Sequence, residues 1–227
     1  MMRRIAFFDV DETLLAEKSM ISFWHHWTAQ LAEEGRTPGA LRTAGADRET
    51  LNRAYFTHFA GVHRVVLQES ARRWYAQYRR GRRAYLPDTL HRLHRHRSDG
   101  DEIALVTGSG RLLVQPVADD LGAHHVLATE QVSDVTGRLT GEVTRSMIGE
   151  AKREAMTALL RRLGVRAQDC YAYGDHSTDL SMLNAVGHPV VVGDDPVLTA
   201  HGLAHDWQFL SRTPGPRLAP AEVMRVG

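Results

Sequence analysis

The stretch Ile5-Ala6-Phe7-Phe8-Asp9-Val10-Asp11-Glu12-Thr13-Leu14-Leu15 decides the reading of this chain. Four consecutive apolar residues of strand-like composition end in two carboxylates spaced i, i+2, followed by a hydroxyl and further apolar residues. Such a run reads as a strand buried on both faces. Acids at its C-terminal end then lie where open α/β sheets bind ligands, in the crevice beyond the strand ends. Two acids that close can divide labour. One stays ionised as nucleophile and metal ligand, while the other carries a proton for a leaving group. Asp and Thr also stop strands and cap helices, so the remainder of the chain has to decide between the two uses.

Working outward, residues from about Ser19 to Arg97 read as almost wholly helical. Phe23, Trp24, Trp27 and Leu31 recur at helical spacing until Gly35-Arg36-Thr37-Pro38-Gly39 breaks the pattern, and Leu51, Ala54, Tyr55, His58 and Phe59 repeat it before Gly61. A third helix carries Val65, Val66, Glu69, Trp74 and Tyr78, and Pro87 opens a fourth. After the turn Ser98-Asp99-Gly100-Asp101 the texture changes. Ile103-Ala104-Leu105-Val106-Thr107 is a second strand, followed by the turn Gly108-Ser109-Gly110 and a helix from about Arg111 to Leu121. Val126 to Thr129 is a third strand, Val132 to Val143 a hairpin around Gly137, and Gly149 to Leu163 a helix. Cys170 to Asp175 is another strand ending in an acid. Alternating strands and helices predict an α/β fold, a Rossmann-like parallel sheet with helices on both faces, interrupted by an all-helical cap. The expected boundaries are 1–15 and 100–212 for the core, 16–99 for the cap and 213–227 for a flexible tail.

Composition restricts the partners. The 227 residues carry a net charge of +1, 43% hydrophobic and 24% charged residues, so no global field favours nucleic acid or a membrane surface. There is no run long enough to span a bilayer and no signal-peptide pattern. The single cysteine, Cys170, suits a reducing cytoplasm. Of 28 basic side chains only Lys18 and Lys152 are lysine, and against that bias a lysine points to a need for a compact ammonium.

Three strands end at one edge of the expected sheet, at Asp9/Asp11, at Thr107 and at Asp175. The glycine-rich segment after Thr107 offers free N–H groups to an anion such as phosphate. Lys152, in the first turn of its helix, is poorly placed for the helix dipole. Asp175 and Asp179 lie four residues apart in Gly174-Asp175-His176-Ser177-Thr178-Asp179. Asp9 and Asp175 together supply hard oxygen ligands for a divalent cation.

In their order and spacing, Asp9-Val10-Asp11-Glu12-Thr13, Val106-Thr107-Gly108, Gly149-Glu150-Ala151-Lys152 and Gly174-Asp175 through Asp179 resemble the four motifs of the haloacid dehalogenase-like superfamily of aspartyl-phosphate phosphatases. The helical insert between the first two resembles its subfamily IB, the phosphoserine phosphatase-like branch. The resemblance implies a Mg²⁺-dependent phosphomonoesterase acting on a small phosphorylated metabolite. It casts Asp9 as nucleophile, Asp11 as general acid and base, and Asp9, Asp175 and the Asp11 carbonyl as the Mg²⁺ ligands. Thr107, the Gly108 amide and Lys152 would hold the phosphoryl group, and Asp179 and Thr13 would support them. Dehalogenases of the superfamily lack the second acid, because halide leaves without a proton. Phosphoserine phosphatases carry a glutamate nine residues after the nucleophile for the substrate ammonium. Here that position is Lys18, preceded by Glu17, and a cation there suits a carboxylate, a second phosphate or a polyol. Glu12 matches a variant seen in phosphoethanolamine/phosphocholine phosphatases.

Lys18, Glu17, His176 and Thr178 are thus the candidates for specificity, with the cap cations Arg53, Arg64, Arg72, Arg73, Arg79, Arg80, Arg82, Arg83, Arg92, Arg95, Arg97, His91, His94 and His96 as possible reach-in groups. A phosphotransferase or mutase using the same intermediate, and a nucleic-acid-binding or end-processing protein using the arginine-rich cap, are the alternatives. A monomer or a homodimer is expected, with no nucleic-acid or membrane partner.

Overall fold

A computed structural model describes residues 3–37, 39–41 and 45–212; the expected tail, 213–227, lies outside the described residues. The first strand is β1 (Ile5–Phe8), and all four of its residues are fully buried. Their alternation assigns two cores. Ala6 and Phe8 join a cluster with Leu93, Ile103, Leu105, Val114 and Val117, whereas Ile5 and Phe7 join Ala104, Val106, Met156, Leu159, Met182 and Leu183. Successive side chains of a strand point to opposite faces, so a strand apolar at every position is sealed on both sides. Each fully buried large side chain contributes about 1.5–3 kcal/mol.

The remaining elements follow in chain order: α1 (Ser19–Glu33), α2 (Arg48–Thr57), α3 (Arg64–Tyr78), α4 (Pro87–Ser98), β2 (Glu102–Gly110), α5 (Arg111–Leu121), β3 (His125–Ser133), β4 (Leu139–Arg145), α6 (Glu150–Leu163), β5 (Tyr171–Gly174), α7 (Leu180–Leu183), β6 (His188–Val192), α8 (Pro196–Ala204) and β7 (Gln208–Leu210). The strands form one seven-stranded sheet in the order β4-β3-β2-β1-β5-β6-β7. Every pairing is parallel except β3 with β4, the hairpin expected around Gly137. β2, β1 and β5 are neighbours at the centre, so Thr107, Asp9 and Asp175 come from adjacent strands.

Two features differ from the sequence expectation. Gly108-Ser109-Gly110 is not a free turn: β2 runs on to Gly110, which pairs with Thr129 across a register shift after Thr107, and α5 starts at once. The neighbouring strand β3 supplies the extra pairing, which no local pattern in β2 announces. Second, the helical block expected over 16–99 divides. The chain leaves and re-enters the core side by side, with Ala16 N–H donating to Ala84 O at 3.1 Å and Leu86 N–H to Leu14 O at 2.9 Å. α4 then packs on β2 with Leu93 fully buried, and we propose residues 17–83 as the inserted unit. α1, α2 and α3 enclose Phe23, Trp24, Trp27, Tyr55, Phe59 and Trp74, whose rings meet mostly edge to face. The insert is tied to the core through Asp120 of α5, which accepts from Tyr75 Oη at 2.8 Å and pairs with Arg79 at 2.6 Å.

Candidate active site

The site grows from the turn that follows β1. Leu14 and Leu15 N–H both donate to Val10 O, at 3.0 and 2.8 Å. That tight loop puts Glu12 at φ +61, in the left-handed region. Asp9 N–H donates to Tyr173 O at 2.9 Å, locking the first acid to β5.

Lys152 is 4% exposed and lies between two carboxylates, its Nζ donating to Asp9 Oδ1 at 2.5 Å and to Asp179 Oδ1 at 2.6 Å. Burial disfavours the ammonium, but Asp179 and Asp9 overcome it and raise the lysine above its ordinary range. Burial pushes Asp9 upward, and Asp179, Asp175 and Asp11 add to the rise against the pull of Lys152. Asp179 is fully engaged by the protein: its other oxygen accepts from the N–H groups of Asp175 and His176 at 3.3 and 3.4 Å. Gly174 makes this closure possible, since a Cβ there would stand 2.7 Å from Asp179 Cβ.

Asp11 faces the other side. Its Oδ1 accepts from Ser19 N–H, the first amide of α1, at 2.9 Å, and its Oδ2 accepts from Ser109 Oγ at 2.9 Å. The N-terminus of α1 therefore orients this carboxylate. Burial raises Asp11 above its ordinary value, opposed by the Ser19 and Ser109 hydrogen bonds. A carboxyl in that state suits proton exchange. Thr107, 1% exposed, accepts from Ser109 N–H at 3.1 Å through its hydroxyl. Gly108 O is claimed by Thr129 Oγ1 at 2.7 Å and by Asn52 Nδ2 at 2.8 Å.

Asp9, Asp175 and Asp179 each present an oxygen within 4.8 Å of the others. Asp175 is pushed up to about 6 by burial first and by Asp179 second, while Thr13 Oγ1 donates to its Oδ1 at 3.0 Å. Burial first, and then the neighbouring carboxylates, hold Asp9 and Asp175 above the usual carboxylate range. The donors are all hard oxygens, so the residues fit a divalent cation of the Mg²⁺ type. Each of the three already has protein partners: Lys152 for Asp9 and Asp179, Thr13 and Arg212 for Asp175.

A cleft of about 600 Å³ opens over these groups and is lined further by Lys18, Met20, Ile21, Leu41, Arg48, Leu51, Asn52, Tyr55, Ile148, His176 and Thr178. Of the specificity candidates, Lys18, His176 and Thr178 reach it. Glu17 is exposed and is not among its lining residues. His176 accepts from Thr178 N–H at 3.1 Å, capping the turn Ser177–Asp179; burial first and then Arg48 lower it from its ordinary value. None of the cap arginines and histidines named from sequence lines the cleft. His96 instead bridges Asp101 and Tyr173 Oη at 2.8 and 2.9 Å beneath α4, and Arg53 pairs with Glu49 at the surface. The site residues missed in the sequence are Ser19, Ser109, Asn52, Arg48, Tyr55 and Arg212. Arg212 approaches from beyond β7 and donates to Asp175 Oδ2 at 3.2 Å and to the Glu12 carboxylate at 3.0 Å. A polar Asn52 inside an aromatic stripe was a signal available beforehand; Arg212 gave none.

A profile of haloacid dehalogenase-like hydrolases matches residues 6–184. The chain belongs to that family. Among curated relatives, the "inhibition of morphological differentiation protein" of Streptomyces azureus is 31% identical over 99% of this chain and 89% of its own length. A "probable phosphatase" of Mycobacterium tuberculosis is likewise 31% identical, over 92% of this chain and 75% of its own. Among solved structures, a substrate-bound phosphoserine phosphatase superposes with a TM-score of 0.66 at 16% identity, over 94% of this chain and 95% of that one, which is a likeness of fold. Among the described residues, no helix is long and apolar enough to cross a membrane.

Proposed function

We propose that this family member is a Mg²⁺-dependent phosphatase that hydrolyses a small phosphorylated metabolite through an aspartyl-phosphate. The observation that carries this is the division between the two acids of the first motif. Asp9 is held by a buried ammonium, and Asp11, 2.9 Å from both Ser19 N and Ser109 Oγ, is left to exchange a proton.

In this reading an Asp9 oxygen attacks phosphorus, the bond from phosphorus to the alcohol oxygen breaks, and Asp11 gives its proton to that oxygen. Asp11 then takes a proton from water as the water attacks phosphorus, releasing phosphate and restoring Asp9. Lys152, the Thr107 hydroxyl and the Gly108 amide hold the phosphoryl oxygens in line, and positioning with charge neutralisation is most of what phosphoryl transfer needs. The Asp9 and Asp175 carboxylates and the Asp11 carbonyl are the groups that would hold Mg²⁺, whose chemistry when bound is to neutralise charge on the transferring group. Thr13 and Asp179 fix the orientation of Asp175 and Lys152. The buried free thiol of Cys170 fits a cytoplasmic setting.

The test is phosphate release with Mg²⁺ from phosphoserine, phosphoethanolamine, phosphocholine, sugar phosphates and histidinol phosphate, wild type against Asp9→Asn. Release lost in Asp9→Asn supports the mechanism. Release that persists in the variant sinks it.

A further inference from the structure

We propose that the phenol of Tyr55 reads the alcohol part of the substrate, and that this substrate is a phosphomonoester of an apolar-bodied alcohol bearing a hydrogen-bond acceptor close to the ester oxygen and no positive charge. This deepens the phosphatase reading above and rests on it. Tyr55 lines the cleft, is 4% exposed, and its hydroxyl has no hydrogen-bond partner among the described residues. A buried hydroxyl without a partner is costly to keep, and such groups are nearly always satisfied. The ring is clamped edge-on by Trp24, Phe56 and Phe59, so the hydroxyl has little freedom to find a partner elsewhere. Asn52, three residues earlier on the same face of α2, is tied to Gly108 O at 2.8 Å, which fixes that face relative to the phosphate-binding strand end. Burial first and the Asp11 charge second push the phenol up from its ordinary range.

The surroundings define the rest of the ligand. Met20, Ile21, Leu41, Leu51 and Ile148 form an apolar wall, and the volume of about 600 Å³ is that of a site for a whole small molecule. Lys18 and Arg48 are exposed at its rim, while the acids lining the cleft are the four already committed to phosphate and cation. An ammonium on the substrate would meet an apolar wall and two cations. A carboxylate beside the ester would have the Tyr55 hydroxyl, Arg48 and Lys18, the last paired with Glu12 at 3.6 Å, among the groups lining its cleft.

Four esters separate these features: 2-O-phospho-3-phenyllactate, 2-phenylethyl phosphate, phosphoglycolate and phosphoethanolamine. Wild-type kcat/KM is expected to be highest for phosphophenyllactate, by about tenfold over phenylethyl phosphate and phosphoglycolate and about a hundredfold over phosphoethanolamine. In Tyr55→Phe the ratio of phosphophenyllactate to phenylethyl phosphate falls about tenfold, and Tm does not fall, because no hydrogen bond inside the protein is lost. An unchanged ratio, a lowered Tm or a preference for phosphoethanolamine overturns the proposal. Asp9-dependent release from the esters without these preferences removes it and leaves the phosphatase reading standing. No Asp9-dependent release from any phosphomonoester removes both.

Discussion

Replacing Lys152 with methionine removes the ammonium from a site where it contacts two buried carboxylates at 2.5 and 2.6 Å. At an effective dielectric of about 20, each of those contacts is worth about 6 kcal/mol of Coulomb attraction. Desolvation of three ions takes back several kcal/mol apiece, so the intact cluster is close to neutral for stability. Removing one member is not neutral, because Asp9 and Asp179 then face each other unpaired, at a cost of about 3–5 kcal/mol. The change is measured by urea unfolding in EDTA at pH 7.5. A chain of this size loses about 2–4 °C of Tm per kcal/mol, so Tm drops by roughly 6–20 °C. The penalty shrinks as pH is lowered toward 5, since carboxylates freed of their counter-ion take up protons and shed the repulsion. Adding Asp179→Asn to Lys152→Met restores at least about 1 kcal/mol, the coupling expected for residues in direct contact. A loss under about 1 kcal/mol that does not vary with pH would refute the buried-ion argument.

Cation binding has to expel any proton held by Asp175, whose carboxyl is pushed up to about 6, so Mg²⁺ affinity by calorimetry weakens as pH falls below that value and levels off above it. Gly174→Ala forces a Cβ to within 2.7 Å of Asp179 Cβ, and denaturant melts should show a loss of about 1–3 kcal/mol together with lower phosphate release. Asn52→Ala leaves Gly108 O short of a donor and strips a 2.5 Å acceptor from Ser146 Oγ. A destabilisation of about 1–3 kcal/mol, with faster amide exchange across α2, is the expected result. Ser19→Ala keeps the backbone bond to Asp11 but loses the 2.8 Å contact between Ser19 Oγ and Ser109 Oγ. The alkaline limb of the kcat/KM profile, along which Asp11 loses the proton it gives to the leaving oxygen, should then move while KM changes little.

Much of the site was legible because its chemistry sits at strand ends. Ile5–Phe8 is apolar at every position and stops at an acid, so strand, burial and active edge follow from one stretch; Asp175 after Tyr171–Gly174 repeats the logic. Lys152 stood out as one of two lysines in an arginine-rich chain. The unread parts depend on contacts distant in sequence. α4 looks like one more lid helix until His96 meets Asp101 and Tyr173, which are 5 and 77 residues away. Gly108-Ser109-Gly110 reads as a turn because the pairing that extends β2 comes from β3. Tyr55 reads as core, and it is buried, but its hydroxyl has no hydrogen-bond partner among the described residues. Arg212 reaches Asp175 from beyond the last strand, where no periodicity guides the eye.

The paired entry and exit of the inserted helices has a consequence for how such a chain can change. Residues 14–16 and 84–86 are fastened to one another, so the catalytic core sees the whole intervening segment as a single loop whose ends never move apart. The entropy of closing a loop rises only with the logarithm of its length. The segment can therefore be lengthened, shortened or exchanged with little strain on Asp9 or on the strand order. What an exchange has to replace is the set of ties to the core: Ser19 on Asp11, Asn52 on Gly108, Tyr75 and Arg79 on Asp120, and the backbone bonds of Gly61, Val62 and Arg64 with Leu139 and Gly137. The chain thus carries the strand-end acids on the sheet and one wall of the cleft on a segment that returns to the place it left.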